Sequence, residues 1–349
     1  VADKHNFRQL FKKTAPGSFP EKQTAMTDTA AHSAPPAPTV SVIMNCLNCG
    51  EHLRAAIDSV FAQTFDDWEI VFWDNGSSDC SADIAQSCGD KVRYFRAERT
   101  VPLGAARNLA IARARGEFIA FLDCDDLWHP EKLARQVALF RANPAVGLVS
   151  CDTVMFSGDK ELSRQFQAAP PARGKVFREL MTTQWISMSS AVIRRSALDA
   201  PGMGGHWFDE SLNVCEEADV FYRIAWDWEL DHVDAPLARW RVHGGSTTFR
   251  KFAQFADETE AILVKHIRMY RDYERDYADL VALLRRRAAF QRGVALWREG
   301  KGSEARAAIA PYAASSLKFR LFRMATFLPG GMFDAVAGVY FALPSFLRR

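Results

Sequence analysis

No run of about 20 apolar residues, the length a helix needs to cross a bilayer, occurs anywhere in this sequence of 349 residues. Its first 39 residues carry no apolar stretch of the kind a secretory signal uses. Excess charge is also missing: 44 Lys and Arg stand against 42 Asp and Glu, a net +2. Bulk electrostatics therefore give no draw toward nucleic acid, and no nucleic-acid partner is expected. Cysteine is sparse and unpaired in number, seven residues at irregular spacings, which excludes a disulfide framework and suits a reducing cytoplasm. Cys46-Leu47-Asn48-Cys49 is formally C-x-x-C, but the sequence offers neither a second ligand pair nor a thioredoxin-like setting, so these thiols read as structural.

What is present is the composition of a globular protein, 48% hydrophobic and 25% charged. Residues 1–39 are polar and Ala/Pro-rich, ending in Ala34-Pro35-Pro36-Ala37-Pro38, and read as a disordered leader. Met26 is taken as the natural start, an expectation that N-terminal sequencing of the native protein tests. From Val40 the pattern changes. Apolar, β-branched runs at Val40–Met44, Glu69–Trp73, Val92–Phe95, Glu117–Leu122 and Val146–Cys151 read as buried strands. Between them, Glu51–Thr64, Leu103–Ala114 and the stretch opened by Pro130 have helical spacing. Alternating strands and helices imply an α/β fold with a mainly parallel sheet covered on both faces, and ligands gather at the carboxyl ends of its strands.

Three segments at such ends draw attention. Asp74-Asn75-Gly76-Ser77-Ser78-Asp79 follows the second strand; it is either a helix-capping turn or a carboxylate facing a crevice. Asp123-Cys124-Asp125-Asp126 follows the fourth. One acid suffices to cap a helix, whereas three in four residues repel one another unless a cation compensates, and hard oxygen donors suit Mg²⁺ or Mn²⁺. Further on, Cys215-Glu216-Glu217-Ala218-Asp219 runs into helical Val220–Trp228. Its acids either favour the helix dipole or supply a general base. Arg239-Trp240-Arg241-Val242-His243-Gly244-Gly245-Ser246 follows an amphipathic strand, and its His is either structural or, beside an Arg and a Gly-Gly turn, able to meet a diphosphate.

Taken in order, VSVIMNCLNCGEHLRAAIDSVFAQTFDDWEIVFWDNGSSD, GAARNLAIARARGEFIAFLDCDDLWHPEKL, FDESLNVCEEADVFYRI and RWRVHGGS resemble a family-2 glycosyltransferase of the GT-A fold over about residues 40–250. The resemblance implies a Rossmann-like catalytic domain at 40–250 and a helical C-terminal region at 251–349. It implies that Asp74 contacts the nucleotide base and that Arg107 reaches the base or diphosphate. Asn48 lies where the family often has Asn in the donor loop. Asp123 faces ribose or metal-bound water, and Asp125 coordinates the cation, Mn²⁺ or Mg²⁺, with His243 near the diphosphate or metal. Glu217 falls where the family has the Asp of a Glu-Asp pair, the general base of an inverting transfer, with Glu216 as the adjacent candidate.

Asn45 and Asn75 replace a common proline and a frequent second aspartate. Glu217 lengthens the base by one methylene, and about 1 Å of misplacement costs about 10²-fold in rate. The implied activity moves a sugar from a nucleoside-diphosphate sugar, with uridine preferred, to a glycan or lipid-linked acceptor in cell-surface polysaccharide biosynthesis. The alternative is a catalytically silent homologue that binds nucleotide sugar or scaffolds glycan assembly, and Glu217 is the feature that leans that way. A sugar-phosphate nucleotidyltransferase would want a Gly-rich basic loop after the first strand, which Asn45–Gly50 does not provide.

Trp185, Met188, His206 and Trp207 line an acceptor surface or else belong to the core. Beyond Lys251 the chain turns helical, with one faint tetratricopeptide-like pair at 287–315. Lys318–Arg323 and the tail Phe346-Leu347-Arg348-Arg349 form either an interfacial helix, peripheral on the cytoplasmic face of an inner membrane, or a helical cap.

Overall fold

The computed structural model describes residues 36–166, 170–203, 206–243 and 254–332. From Ala37 onward these belong to one unit. Nearly all of the expected leader lies outside the described residues. So do Met26, the expected boundary at 250/251, the turn at 244–246 and the tail at 346–349.

Nine strands form one sheet among the described residues: β1 (Val40–Cys46), β2 (Trp68–Asp74), β3 (Val92–Arg96), β4 (Phe118–Phe121), β5 (Leu127–Trp128), β6 (Val146–Ser157), β7 (Lys160–Arg164), β8 (Val192–Arg194) and β9 (Glu229–Arg241). Their order is β3-β2-β1-β4-β8-β6-β9-β5, with β7 paired to β6. The first four of that order are mutually parallel. Beyond β4 the sheet is mixed: β8 is antiparallel to both β4 and β6, while β6 and β9 run parallel.

The helices are α1 (Gly50–Phe61), α2 (Ser81–Gln86), α3 (Leu103–Ile111), α4 (Lys132–Ala142), α5 (Phe177–Thr182), α6 (Arg195–Leu198), α7 (Glu216–Asp227), α8 (Gln254–Met269), α9 (Tyr273–Asp276), α10 (Ala278–Arg298), α11 (Gly302–Ile309) and α12 (Leu317–Ala325). Two apolar layers follow from the period-2 alternation of the strands. Val42, Met44, Ile70 and Phe72 face α1 and α4 through Leu53, Ile57, Leu133, Val137 and Phe140. Ile43, Val71 and Trp73 face the other way, onto Ala106, Ala110 and Ile111 of α3 and Val220, Phe221 and Ile224 of α7. Fully burying each such Val, Leu, Ile or Phe contributes about 1.5–3 kcal/mol.

This second layer does not stop where the expected domain boundary falls. Ile262, Leu263, Tyr270, Tyr273, Leu280, Val281 and Leu284 belong to the same cluster as α3 and α7, so α8 and the first half of α10 pack as part of the sheet's own core. A separate cluster begins only at Val294 and holds Trp297, Ile309, Phe319 and Phe322. The faint repeat corresponds to one helix pair, the end of α10 with α11.

One pairing positions the site. β5, which follows the aspartate cluster directly, pairs antiparallel with the far end of β9, Leu127 opposite Arg239. The loop 122–126 thus leaves the carboxyl end of β4 and lands beside the last residues of β9, where Arg241 and His243 lie.

Candidate active site

Because β2, β1 and β4 are adjacent and parallel, the loops after them share one edge. After β2 the chain reverses at Gly76, whose φ of +95° is a conformation side chains disfavour. Asp74 accepts the amides of Ser77 at 2.7 Å and Gly76 at 3.2 Å, the Tyr94 hydroxyl at 2.6 Å and Arg96 Nη1 at 3.0 Å. Burial pushes its carboxyl up, but the Tyr94 hydroxyl, the Ser77 amide and the Arg96 charge outweigh that and hold it below the ordinary range. Asp74 is completely buried, so its carboxylate shapes the turn. Asn75 anchors the next loop, its amide donating to Val101 O at 2.8 Å while its oxygen accepts from Val101 N–H at 3.1 Å. A carboxylate cannot do both, which gives the replacement of the frequent aspartate a physical role.

Asn48 sits in the left-handed region, φ +57°, which Asn tolerates better than most residues. Its Oδ1 accepts Ser78 N–H at 2.8 Å, and its own N–H donates to Ser77 Oγ at 3.1 Å. Asp79 caps α1 from the neighbouring loop by accepting Gly50 N–H at 2.9 Å. The turn after β2 thus holds the turn after β1.

Within the aspartate cluster the three acids separate by role. Asp126 is buried and accepts Ser189 O–H at 2.6 Å and Arg241 N–H at 2.9 Å. Burial first, then the charges of Asp123 and Asp125, push its carboxyl well above the ordinary range. Asp123 and Asp125 project outward, their side chains 47% and 31% exposed. Asp125 meets His243 Nε2 at 3.0 Å, and Arg241 Nε donates to the Asp125 carbonyl at 2.8 Å. Asp123 turns to Arg107 instead, 3.5 Å from Nη2. The expected ligand trio Asp123, Asp125 and His243 is thus divided between two contacts. Partial desolvation by the protein packed around it raises the Asp123 carboxyl even though its side chain is half open; Arg107 opposes this, and the Asp125 and Glu216 charges add to it.

Arg107 is the hub. Its α3 begins at a close approach, since a Cβ on Gly104 would lie 3.2 Å from Asp209 O. The buried guanidinium stacks on Phe208, donates to Glu216 Oε1 at 2.7 Å and lies 4.0 Å from Glu217 Oε2. Burial works against its charge, and Glu216, Asp123 and Glu217 more than compensate, so it stays above its ordinary pKa. The two glutamates differ sharply. Glu216 is buried against Arg107, whereas the Glu217 side chain is 31% exposed beside the same cation. Although part of its surface stays open, the protein packed around Glu217 desolvates its carboxyl and raises it to about 8; Arg107 opposes, and Glu216 and Asp123 reinforce the rise. The structure therefore gathers Arg107, Asp123, Glu216 and Glu217 into one cluster, with Asp125 and His243 as a pair on the same loop.

Several contributors carry no role in the sequence reading. Ser189 and Arg241 hold Asp126, and Tyr94 and Arg96 hold Asp74. Glu258 of α8 accepts three successive amides, Asn213, Val214 and Cys215, at 2.8–2.9 Å, which caps α7 just before Glu216. Lys265 of the same helix bridges Asp209 and Asp219 at 2.8 and 2.9 Å. Arg241 had a signal in its place beside His243; Glu258 and Lys265 had none. Of the aromatic candidates for an acceptor surface, Trp185 and Met188 are core. Trp207 is half-buried with its indole N–H on Asp199, and His206 is exposed.

Comparison with known proteins bears on the family and the fold. The model of the family described as "Glycosyl transferase family 2" matches residues 41–200. An uncharacterized glycosyltransferase of Nostoc sp. is 30% identical over 249 residues, covering 68% of this chain and 75% of the relative. The putative glycosyltransferase EpsH of Bacillus subtilis is 26% identical over 261 residues, covering 70% and 75%. Among solved structures, S. aureus TarS in complex with UDP-GlcNAc superposes with a TM-score of 0.58 at 15% identity, covering 82% of this chain and 91% of that one. The mannosyltransferase PcManGT from Pyrobaculum calidifontis, in complex with GDP-Man and Mn²⁺, gives 0.56 at 17% identity, covering 88% and 89%.

Proposed function

The chain belongs to glycosyl transferase family 2, and on that premise we propose that it is an inverting, metal-dependent transferase. It moves a sugar from a nucleoside-diphosphate sugar, uridine-type by preference, to a hydroxyl of a glycan or lipid-linked acceptor in cell-surface polysaccharide biosynthesis. The observation that carries this reading is the placement of Glu217. Its side chain stays 31% exposed while lying 4.0 Å from an Arg107 that also reaches Asp123, and the protein packed around it raises its carboxyl to about 8. A carboxylate of that basicity accepts a proton near neutral pH, which an acceptor hydroxyl must lose to attack the anomeric carbon. In this reading Arg107 supplies positive charge toward the departing diphosphate. Asp74 and Asn48 act through the turns that they shape around the nucleotide.

Asp125 and His243, with Asp123 through water, would hold a Mn²⁺ or Mg²⁺ ion. Such ions are commonly bound by one or two carboxylates, with water and substrate phosphates filling the remaining positions. When bound, the cation supplies charge neutralisation for the leaving diphosphate. The oxygen-rich donor set fits, and the Mn²⁺ in the PcManGT complex supports the reading.

A lipid-linked acceptor is supported by α12 and the turn after it. Leu317, Leu321, Met324 and Leu328 form one exposed apolar row beside Lys318, Arg320 and Arg323, while Phe319 and Phe322 of the same helix are buried. An apolar row flanked by cations suits an anionic membrane surface. Among the described residues no helix is long and apolar enough to cross a membrane, so this contact would be peripheral.

The test is a nucleotide-sugar panel with Mn²⁺ or Mg²⁺, reading release of nucleoside diphosphate. Release that Asp125→Ala abolishes supports the transferase; binding of the donor without turnover, on every acceptor tried, returns the silent homologue. Flotation with anionic vesicles at low salt checks the membrane contact, and absence of binding removes it.

A further inference from the structure

Cys124 stands between Asp123 and Asp125, but its side chain turns the opposite way. The two carboxylates face outward, whereas Cys124 is only 2% exposed. On that inner side it meets Cys46, also buried, from the end of β1, and Cys49, half-buried, from the N-cap of α1. The sulfurs of all three lie within 4.8 Å of one another, and among the described residues no other three Cys, His, Asp or Glu side chains bring their ligand atoms so close. A Zn–S bond of about 2.3 Å places the sulfurs of a tetrahedral site about 3.8 Å apart, so closure on an ion requires shifts of at most about 1 Å.

We propose that Cys46, Cys49 and Cys124 form a binding site for one thiophilic divalent ion, Zn²⁺ in the first instance, distinct from the carboxylate site on the other side of the same loop. Three thiolates are soft donors, which select zinc over Mg²⁺ or Mn²⁺, while the carboxylates of Asp123 and Asp125 select the reverse. Each ligating thiol gives its proton to solvent on binding. The Ser77 hydroxyl, 3.8 Å from Cys46 Sγ, is placed to donate to that sulfur and support it from behind. Three protein ligands leave the fourth position for water or an exogenous thiol, entering on the half-buried Cys49 side. A bound ion would staple the Asn48 loop to the aspartate loop, joining two segments that contact the donor in the proposed reaction.

The experiment uses the full chain, reduced and stripped of metal, titrated with Co²⁺ as a spectroscopic substitute for Zn²⁺ in excess Mg²⁺. The expected result is a thiolate-to-cobalt charge-transfer band that saturates at one ion per chain and is displaced by Zn²⁺. It should disappear in Cys49→Ser and Cys124→Ser and persist in Cys80→Ser, which removes an exposed thiol, and in Asp125→Ala. Cys49 is the least buried of the three, so Cys49→Ser carries the comparison if Cys124→Ser does not fold. The proposal is overturned if reduced, natively melting protein gives no such band, or if the band survives Cys49→Ser. It is equally overturned if the band is lost with Asp125→Ala, or if peptide mapping finds two of the three thiols joined as a disulfide in place of bound metal.

Discussion

Arg107 donates from Nη1 to Oε1 of Glu216 at 2.7 Å, with both side chains buried. These residues are 109 positions apart in the chain, and their contact divides the labour of the Glu216-Glu217 pair. Glu216 is committed to holding the cation, which leaves Glu217 as the carboxylate of the pair open to solvent.

Glu217→Gln is expected to lower kcat by about 10²–10⁴-fold, the range for losing a positioned base, with little change in the KM for donor. Glu216→Ala acts differently. It strips a buried cation of its main partner, and the loss of stability should be roughly 3 kcal/mol, the low end for breaking a buried pair because Asp123 remains. Steady-state kinetics and thermal melts on both variants separate the two roles; equal kinetic defects with unchanged melts would contradict the division.

The pH dependence follows from the raised Glu217 carboxyl. A base works only when deprotonated, so kcat/KM should rise with pH, about tenfold per unit below about 8, and flatten above it. The residual rate of Glu217→Gln should lack that inflection. A wild-type profile already flat from pH 5 upward would remove Glu217 from the role.

Glu258→Ala tests whether α8 positions the base. It removes the acceptor for the amides of Asn213, Val214 and Cys215 at the start of α7. The Cys215 amide is the buried one of the three, and leaving it without a partner costs about 1–3 kcal/mol, while water can reach the other two. The melt should fall, and kcat should fall further than the KM for donor rises, because the helix carrying Glu217 loses its cap. Unchanged kcat in a folded variant would make this contact purely structural.

His266 predicts acid sensitivity of the fold. It is completely buried on α8 against Tyr222, Tyr270 and Tyr273, with Asp219 3.8 Å away. Burial lowers its pKa to about 4; Asp219 opposes this, and Lys265 and Arg223 add to it. The unfolded chain takes up this proton near pH 6.5 and the folded one does not, so stability is lost as pH falls from about 6.5 toward 4, by up to about 1.4 kcal/mol per unit. Denaturant melts of His266→Phe should show a shallower decline over that window than the wild type, and identical slopes would refute the assignment.

Much of the first half of the fold is legible in sequence because the strands β1, β2, β4 and the start of β6 are buried on both faces and so read as continuous apolar runs. The strands that escape notice are β5 and β8, two and three residues long and too short for any period to register, and β7, an exposed charged run with no buried face to read. The helical character beyond residue 251 is also visible. Its share in the catalytic core is not, because Tyr270, Tyr273 and Leu280 show only that they seek burial, never against what.

The site divides along the same line. Sequence by itself determined the chemistry on offer: acids after the second and fourth strands, an arginine on α3 and a glutamate pair opening a helix, because strand ends and helix starts are local features written in consecutive residues. Only the tertiary structure decided which glutamate meets Arg107, since neighbours on a helix point about 100° apart and the packing of α7 selects the inward one. The same holds for Asp125 with His243 and for Cys124 with Cys46 and Cys49. Those meetings depend on β5 pairing with β9 and on β1 lying beside β4, long-range register that no local pattern encodes.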